Sequence, residues 1–245
     1  MSILLKNATV VIRKYIDSSP SIKSILFSLF KPKIKNYTNF TILNNINLNI
    51  IKGEKVGIIG KNGAGKSSLL KVINKIYSLN SGMINIKGRV ASLIEIGSGF
   101  NPNLTGRENM KLLFSLNGFS SHEYNDFQNN VIEFSELGNF IDTQTKFYST
   151  GMNLRLGLSI CLYLNPNILI LDEMFAGSDK DFIKKSLKKL NSIIDKVDIL
   201  IIVTHDLKFI KQLCNRVLWI NNGKIICDGS TKYVINKYIN NDLNS

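Results

Sequence analysis

One stretch of this chain constrains its fold more than any other. Val56-Gly57-Ile58-Ile59 is apolar, Gly60-Lys61-Asn62-Gly63-Ala64-Gly65-Lys66-Ser67 follows without a gap, and Ser68-Leu69-Leu70 opens a helix-like pattern. The octet matches the phosphate-binding loop, and its flanks are the strand and helix that such a loop needs. Glycines let successive backbone N–H groups turn toward phosphate oxygens, and the helix directs its positive end at the same charge. In that arrangement Lys66 reaches the β- and γ-phosphates and the Ser67 hydroxyl ligates Mg²⁺. Gly60 through Ser68 are therefore nucleotide-binding candidates. A glycine-rich turn with a chance lysine is the bland alternative, and it does not account for both flanks.

Two more apolar runs behave like the first. Ile168–Leu171 ends in Asp172-Glu173, and Ile199–Val203 is followed by Thr204, His205 and Asp206. Runs apolar on both faces suit the buried strands of a parallel sheet, and ligands gather at the carboxyl ends of such strands. Asp172 is the candidate to hold the metal through water, Glu173 to polarise the attacking water, and His205 to donate to a γ-phosphate. Ordinary solvated acids at a strand end are the alternative, weakened by the phosphate loop. Asn44–Ile51 alternates asparagine with Ile or Leu and predicts a half-buried antiparallel strand. Trp219–Cys227 predicts a hairpin turning at Asn222–Gly223. Asn109–Tyr148 lacks strand signals and spaces Leu112, Leu113 and Leu116 as a helix does, so a helical insertion belongs there. The class is α/β, expected as one domain over 1–245 with a helical part at about 97–160.

With 245 residues, 44% of them hydrophobic, the chain can bury a core, which sets disorder aside. Its 31 basic and 18 acidic residues give a formal net charge of +13, suiting a polyanion, an anionic membrane or a lysine-rich bias, and charge alone does not choose among them. Cys161, Cys214 and Cys227 are odd in number and far apart, without metal-ligand spacing, so they read as core or surface thiols in a reducing compartment. No signal-type segment opens the chain, and no apolar run approaches the roughly 18 residues that cross a bilayer. A cytoplasmic protein is expected.

Ile22, Ile25, Leu26, Leu29 and Phe30 fall on one helical face and Pro32 ends the pattern, predicting a short amphipathic helix at about 21–31. It packs on its own domain, or it lies at the membrane interface or against a membrane partner; Lys31, Lys33 and Lys35 favour the second reading.

These parts in this order resemble the ABC ATPase family from Leu43 to Gly229. The resemblance implies a RecA-like core, an antiparallel β subdomain and a helical signature subdomain, with ATP and Mg²⁺ as cofactors. The family's signature loop falls at Tyr148-Ser149-Thr150-Gly151-Met152, where Ser149 and Gly151 keep the common form. By resemblance, Ser149 and Gly151 of one copy close on the γ-phosphate held by Lys66 of a second, and Asp179 lies in the loop crossing that seam. Catalytic roles then fall to Glu173, His205 and Lys66, and metal contacts to Ser67, Asp172 and Glu95, the last standing in for a glutamine usual in the family. Met174 replaces a proline. For adenine stacking, Tyr15, Tyr37 and Phe40 are all candidates.

The string Ser92–Asn109 and the signature loop look like those of ATPases exporting capsular polysaccharide, O-antigen and teichoic acid. That branch implies a homodimer beneath membrane permease subunits, peripheral on the cytoplasmic face of the inner membrane, moving a lipid-linked glycan. The chain stops at Ser245, which resembles the short exporters without a carbohydrate-binding domain. The alternatives are another cargo (lipid, drug or peptide) or a soluble ATPase acting on nucleic acid. The latter usually needs paired cassettes, coiled coils or zinc inserts, and no nucleic-acid partner is expected.

Overall fold

The computed structural model describes residues 1–15, 37–92, 99–119, 121–172 and 180–242. The expected amphipathic helix at Ile22–Phe30 lies outside the described residues, as do Glu95, Glu173, Met174 and Asp179. The strands are β1 (Ser2–Tyr15), β2 (Tyr37–Ile51), β3 (Lys55–Ile59), β4 (Ser81–Lys87), β5 (Val90–Ser92), β6 (Ile168–Asp172), β7 (Ile199–Val203), β8 (Arg216–Asn221) and β9 (Lys224–Ser230). The helices are α1 (Lys66–Ile73), α2 (Gly106–Leu116), α3 (Tyr124–Ser135), α4 (Thr150–Tyr163), α5 (Lys180–Ile194), α6 (Leu207–Leu213) and α7 (Thr231–Asp242).

The three apolar runs are neighbours. A six-stranded sheet runs β5-β6-β7-β3-β8-β9, parallel throughout except for the β8–β9 hairpin. Because side chains alternate along a strand, each run supplies two cores. Ile168, Ile170, Ile199 and Ile201 join α1 and the antiparallel sheet on one side, through Leu69, Leu70, Ile3, Leu5, Ile46 and Leu48. Leu169, Leu171, Leu200 and Ile202 meet the helical side through Met110, Phe114, Leu156, Ile160, Phe182 and Ile210. All three cysteines are buried free thiols, so the core reading holds, and burial pushes Cys161 and Cys214 up to about 12.

The second sheet runs β2-β1-β4, antiparallel. Residues 44–51 form its expected strand, which begins earlier, at Tyr37. Register shifts in β1–β2 coincide with positive φ at Asn7 (49°) and Asn45 (53°), a conformation that asparagine tolerates better than most residues. Arg216 of β8 ties this sheet to the parallel one. Its guanidinium donates to Asp228 at 2.6 and 2.7 Å, to Glu54 at 2.9 Å and to the Asn49 carbonyl at 2.8 Å. Those bonds to Asp228, then Glu54, raise its pKa further, so the clamp stays charged.

The insertion is helical, as its spacing predicts. Thr105 and Glu108 form a capping box at the start of α2, satisfying two N–H groups reciprocally. Asn109, fully buried one turn in, accepts from Asn101 N–H at 2.8 Å and donates to the carbonyls of Asn101, Leu104 and Thr105 at 3.0–3.2 Å. That one amide holds the loop leading into the helices. Later, the Tyr148 hydroxyl donates to the Phe140 carbonyl at 2.6 Å, and burial pushes its pKa up to about 12.

Candidate functional site

The octet after β3 curls over the end of its own strand. Gly60 has φ +151°, and a Cβ there would lie 2.2 Å from the Ile220 carbonyl oxygen, so only glycine fits between β3 and β8. Gly65 precedes α1 in the left-handed region, and no side chain caps that helix. The first N–H groups of a helix lack intrahelical partners, so here they are left for a ligand. Lys66, 8% exposed, is drawn back over the loop, its Nζ 2.7 Å from the Gly60 carbonyl and 3.1 Å from that of Lys61. The result is a helix start without a side-chain cap beside one buried cation, suited to an anion.

A cavity of about 670 Å³ opens over this loop, lined by Asn62 through Ser68, by Asp172 and by Val203 and His205. Strand order explains the gathering: β6, β7 and β3 are adjacent and parallel, so residues just past their carboxyl ends share one edge. His205 Nε2 lies 3.2 Å from Asn62 Oδ1. Its backbone is fixed on both sides, since Asp206 N–H donates to Thr204 Oγ1 at 3.1 Å and Asp206 caps α6 at Lys208 and Phe209 N–H. Ser67 and Asp172 supply hydroxyl and carboxylate oxygens to the same cavity, a donor set that fits a hard divalent cation shared with phosphate and water.

Sequence reasoning missed part of the wall. Asn222 and Gly223 line the cavity, and both have positive φ (47° and 70°), as a two-residue hairpin turn requires. Gly223 donates its N–H to the Ala64 carbonyl at 2.8 Å and accepts from Asn44 N–H at 2.8 Å. The hairpin is thus wedged between the phosphate loop and β2, bringing Phe40, Thr41 and Ile42 to the cavity. The Asn-Gly turn pair was the available signal, but its spatial neighbour, the phosphate loop, is not local in sequence.

Of the three aromatic candidates, Phe40 lines the cavity and is 51% exposed; Tyr37, also exposed, does not line it, and nothing is described of the Tyr15 side chain. Ser149 and Gly151 are not among the lining residues. Ser149 caps α4 instead, accepting from Met152 N–H at 3.2 Å, and both it and Thr150 are exposed. The structure therefore gathers Gly63 to Ser68, Asn62, Asp172 and His205 and leaves the signature loop apart. Gly60 and Lys61 shape the loop from below through their carbonyls.

The family described as ABC transporter matches residues 43–176. The chain belongs to the ABC transporter family. It is 40% identical over 213 residues to the teichoic acids export ATP-binding protein TagH of Enterococcus faecalis, an alignment covering 87% of this chain and 47% of that one. It is 38% identical over 199 residues to the O-antigen export system ATP-binding protein RfbB of Klebsiella pneumoniae, covering 81% of each. The chain spans about half the length of the first curated relatives it matches. Among solved structures, a dimeric post-hydrolysis ATP-binding cassette bound to ADP and Pi superposes with a TM-score of 0.69, at 20% identity, over 94% of this chain and 98% of that one. The ABC cassette fold expected from the sequence is the fold observed.

Proposed function

We propose that this chain is the ATP-hydrolysing subunit of an ABC exporter for a lipid-linked cell-surface polysaccharide of the teichoic acid or O-antigen kind, working as a head-to-tail pair. The observation that carries the ATPase reading is one cavity bounded by an uncapped, glycine-rich helix start, a buried lysine, a carboxylate and a histidine. The loop N–H groups and Lys66 hold the β- and γ-phosphates. Mg²⁺, when bound, neutralises charge on those phosphates, and Ser67 and Asp172 hold it; Glu95 is the further candidate contact. Glu173 takes the proton from the attacking water, and His205 steadies the terminal phosphate. Phe40 is the aromatic placed to stack on adenine, since it alone of the described candidate side chains lines the cavity.

The second half of the site comes from a second copy. The α4 N-terminus, opened by Ser149 and exposed, offers another helix start to the γ-phosphate, with Gly151 allowing close approach and Asp179 at the seam. Closing on ATP and opening after hydrolysis then moves permease subunits in the inner membrane, with the chain peripheral on its cytoplasmic face. The names of the relatives support the glycan cargo. The segment Ile22–Phe30 is the proposed contact with the membrane surface.

Purified chain turning over ATP with Mg²⁺, and a Glu173→Gln variant collecting as dimers on size exclusion only when ATP is present, are the expected results. Monomer alone under those conditions contradicts the paired site.

A further inference from the structure

We propose that Asn109, one turn into α2 and outside the nucleotide cavity, is a positioning residue for Ser149: it shapes the seat on which the chain entering the signature loop rests. The inference rests on the paired-site reading above, in which Ser149 of one copy meets the γ-phosphate held by the other. Its observation is a fully buried amide whose bonds reach two segments at once. Asn109 Oδ1 accepts from Asn101 N–H at 2.8 Å, and Nδ2 is shared among the carbonyls of Asn101, Leu104 and Thr105 at 3.0–3.2 Å and the Thr145 hydroxyl oxygen at 3.3 Å. The turn so held presents carbonyls to residues 144–146. Gln144 Nε2 donates to Asn103 at 3.0 Å, Thr145 N–H to Leu104 at 2.9 Å, Lys146 N–H to Pro102 at 3.1 Å and the buried Thr145 hydroxyl to Asn101 at 3.1 Å.

The connection from this seat to Ser149 is short and hydrogen-bonded. Thr145–Phe147 is a 3₁₀ turn, Phe147 N–H donating to the Gln144 carbonyl at 3.0 Å and Tyr148 N–H to the Thr145 carbonyl at 3.1 Å, and Ser149 follows as the N-cap of α4. Buried side chains from Leu156 to Leu162 fix the body of α4, whereas Ser149 and Thr150 are exposed and Gly151 to Arg155 only half-buried. Helix ends fray, so the first turn of α4 takes its place from the helix body on one side and from the entering chain on the other. The Tyr148 hydroxyl, bonded to the Phe140 carbonyl, shares in holding that chain; what Asn109 adds is the tie to α2. These bonds lie outside the cavity, so arriving nucleotide does not exchange them and they act throughout closure on ATP. A small misplacement of a group that meets the reacting phosphate is enough to slow turnover steeply.

The test places a substitution in one or the other member of a mixed pair of full chains. A Lys66→Ala chain supplies an intact signature loop and a Ser149→Arg chain an intact cradle, so each mixed pair holds one complete site. With Asn109→Ala added to the Lys66→Ala chain, turnover of the mixture falls about thirtyfold while KM for MgATP changes less than about threefold; added to the Ser149→Arg chain, it leaves turnover within about twofold. Thr145→Val keeps the side-chain shape and removes the hydroxyl; it shows the same dependence on placement with a loss of about threefold, and it decides the matter if Asn109→Ala does not fold. Thr145→Ser, which keeps the hydroxyl, restores turnover. A merely structural role lowers turnover alike in both placements, and equal losses in the two placements, or none in either, overturn the proposal. No recovery in the mixture without the added substitution removes the paired reading, and this proposal with it.

Discussion

Two helices of this chain begin in opposite ways. Helix α1 opens on Gly65 with no side-chain cap, a buried lysine and a cavity in front of it; helix α4 opens on Ser149, which caps the helix itself, and faces solvent. An uncapped start in a walled cavity is a finished half-site, needing only an anion. A self-capped, exposed start is stable alone and gains a ligand only if another surface brings one. The contrast fits the proposed site divided between two copies, and under that proposal substitutions at the two ends should fail differently.

The largest effect is expected at the cradle. Lys66→Ala removes the cation over the phosphate loop, and ATP turnover should fall by at least about a thousandfold, roughly 4 kcal/mol of transition-state stabilisation, in a steady-state assay. Ser149→Arg, by contrast, should leave ATP binding by each copy intact while turnover falls by about a hundredfold, because the helix start that Ser149 caps no longer receives the γ-phosphate at that site; nucleotide binding by fluorescence beside turnover separates the two. Loss of binding in Ser149→Arg would break the comparison.

Smaller effects sharpen it. Gly223→Ala places a Cβ 2.5 Å from the Ile42 carbonyl oxygen at φ +70°. It should cost about 2–3 kcal/mol in denaturant unfolding and weaken nucleotide binding with it, since this hairpin props the loop. Tyr148→Phe, at the first position of the signature loop, should cost only ~1 kcal/mol, the hydrogen bond to the Phe140 carbonyl. Its pH dependence has a definite sign. Burial first, then the nearby Asp142 charge, raise the Tyr148 pKa to about 12. The contribution of the protonated phenol is thus complete below the unfolded value of about 10 and is lost as pH rises through about 12, so thermal stability over that window should fall less in Tyr148→Phe than in wild type.

Much of the cradle could be read from the chain, because its evidence is local. Strands apolar on both faces announce β3, β6 and β7, and their polar ends announce Asp172 and His205. The octet carries its own geometry in its glycines. What could not be read depends on distant pairing. Strand β1 bonds to β2 and β4 across tens of residues, and its alternation is interrupted at Asn7, where the register shifts. Asn109 looks like a polar residue in a helix, and only the folded loop shows its amide holding Asn101 and Leu104. That Phe40 lines the cavity and Tyr37 does not likewise depends on the hairpin that carries Gly223 against β2. The contact of Asn62 with His205 spans 143 positions and no pattern in either segment announces it.

The claim that two copies build each site is tested most directly by mixing two defective variants. In a head-to-tail pair of Lys66→Ala with Ser149→Arg, one site unites the intact cradle of the second variant with the intact signature of the first. Random pairing should therefore restore about a quarter of wild-type ATP turnover from two variants that are each inactive alone. No recovery, with both proteins folded and Ser149→Arg binding ATP, would show that each chain works by itself or not in this arrangement.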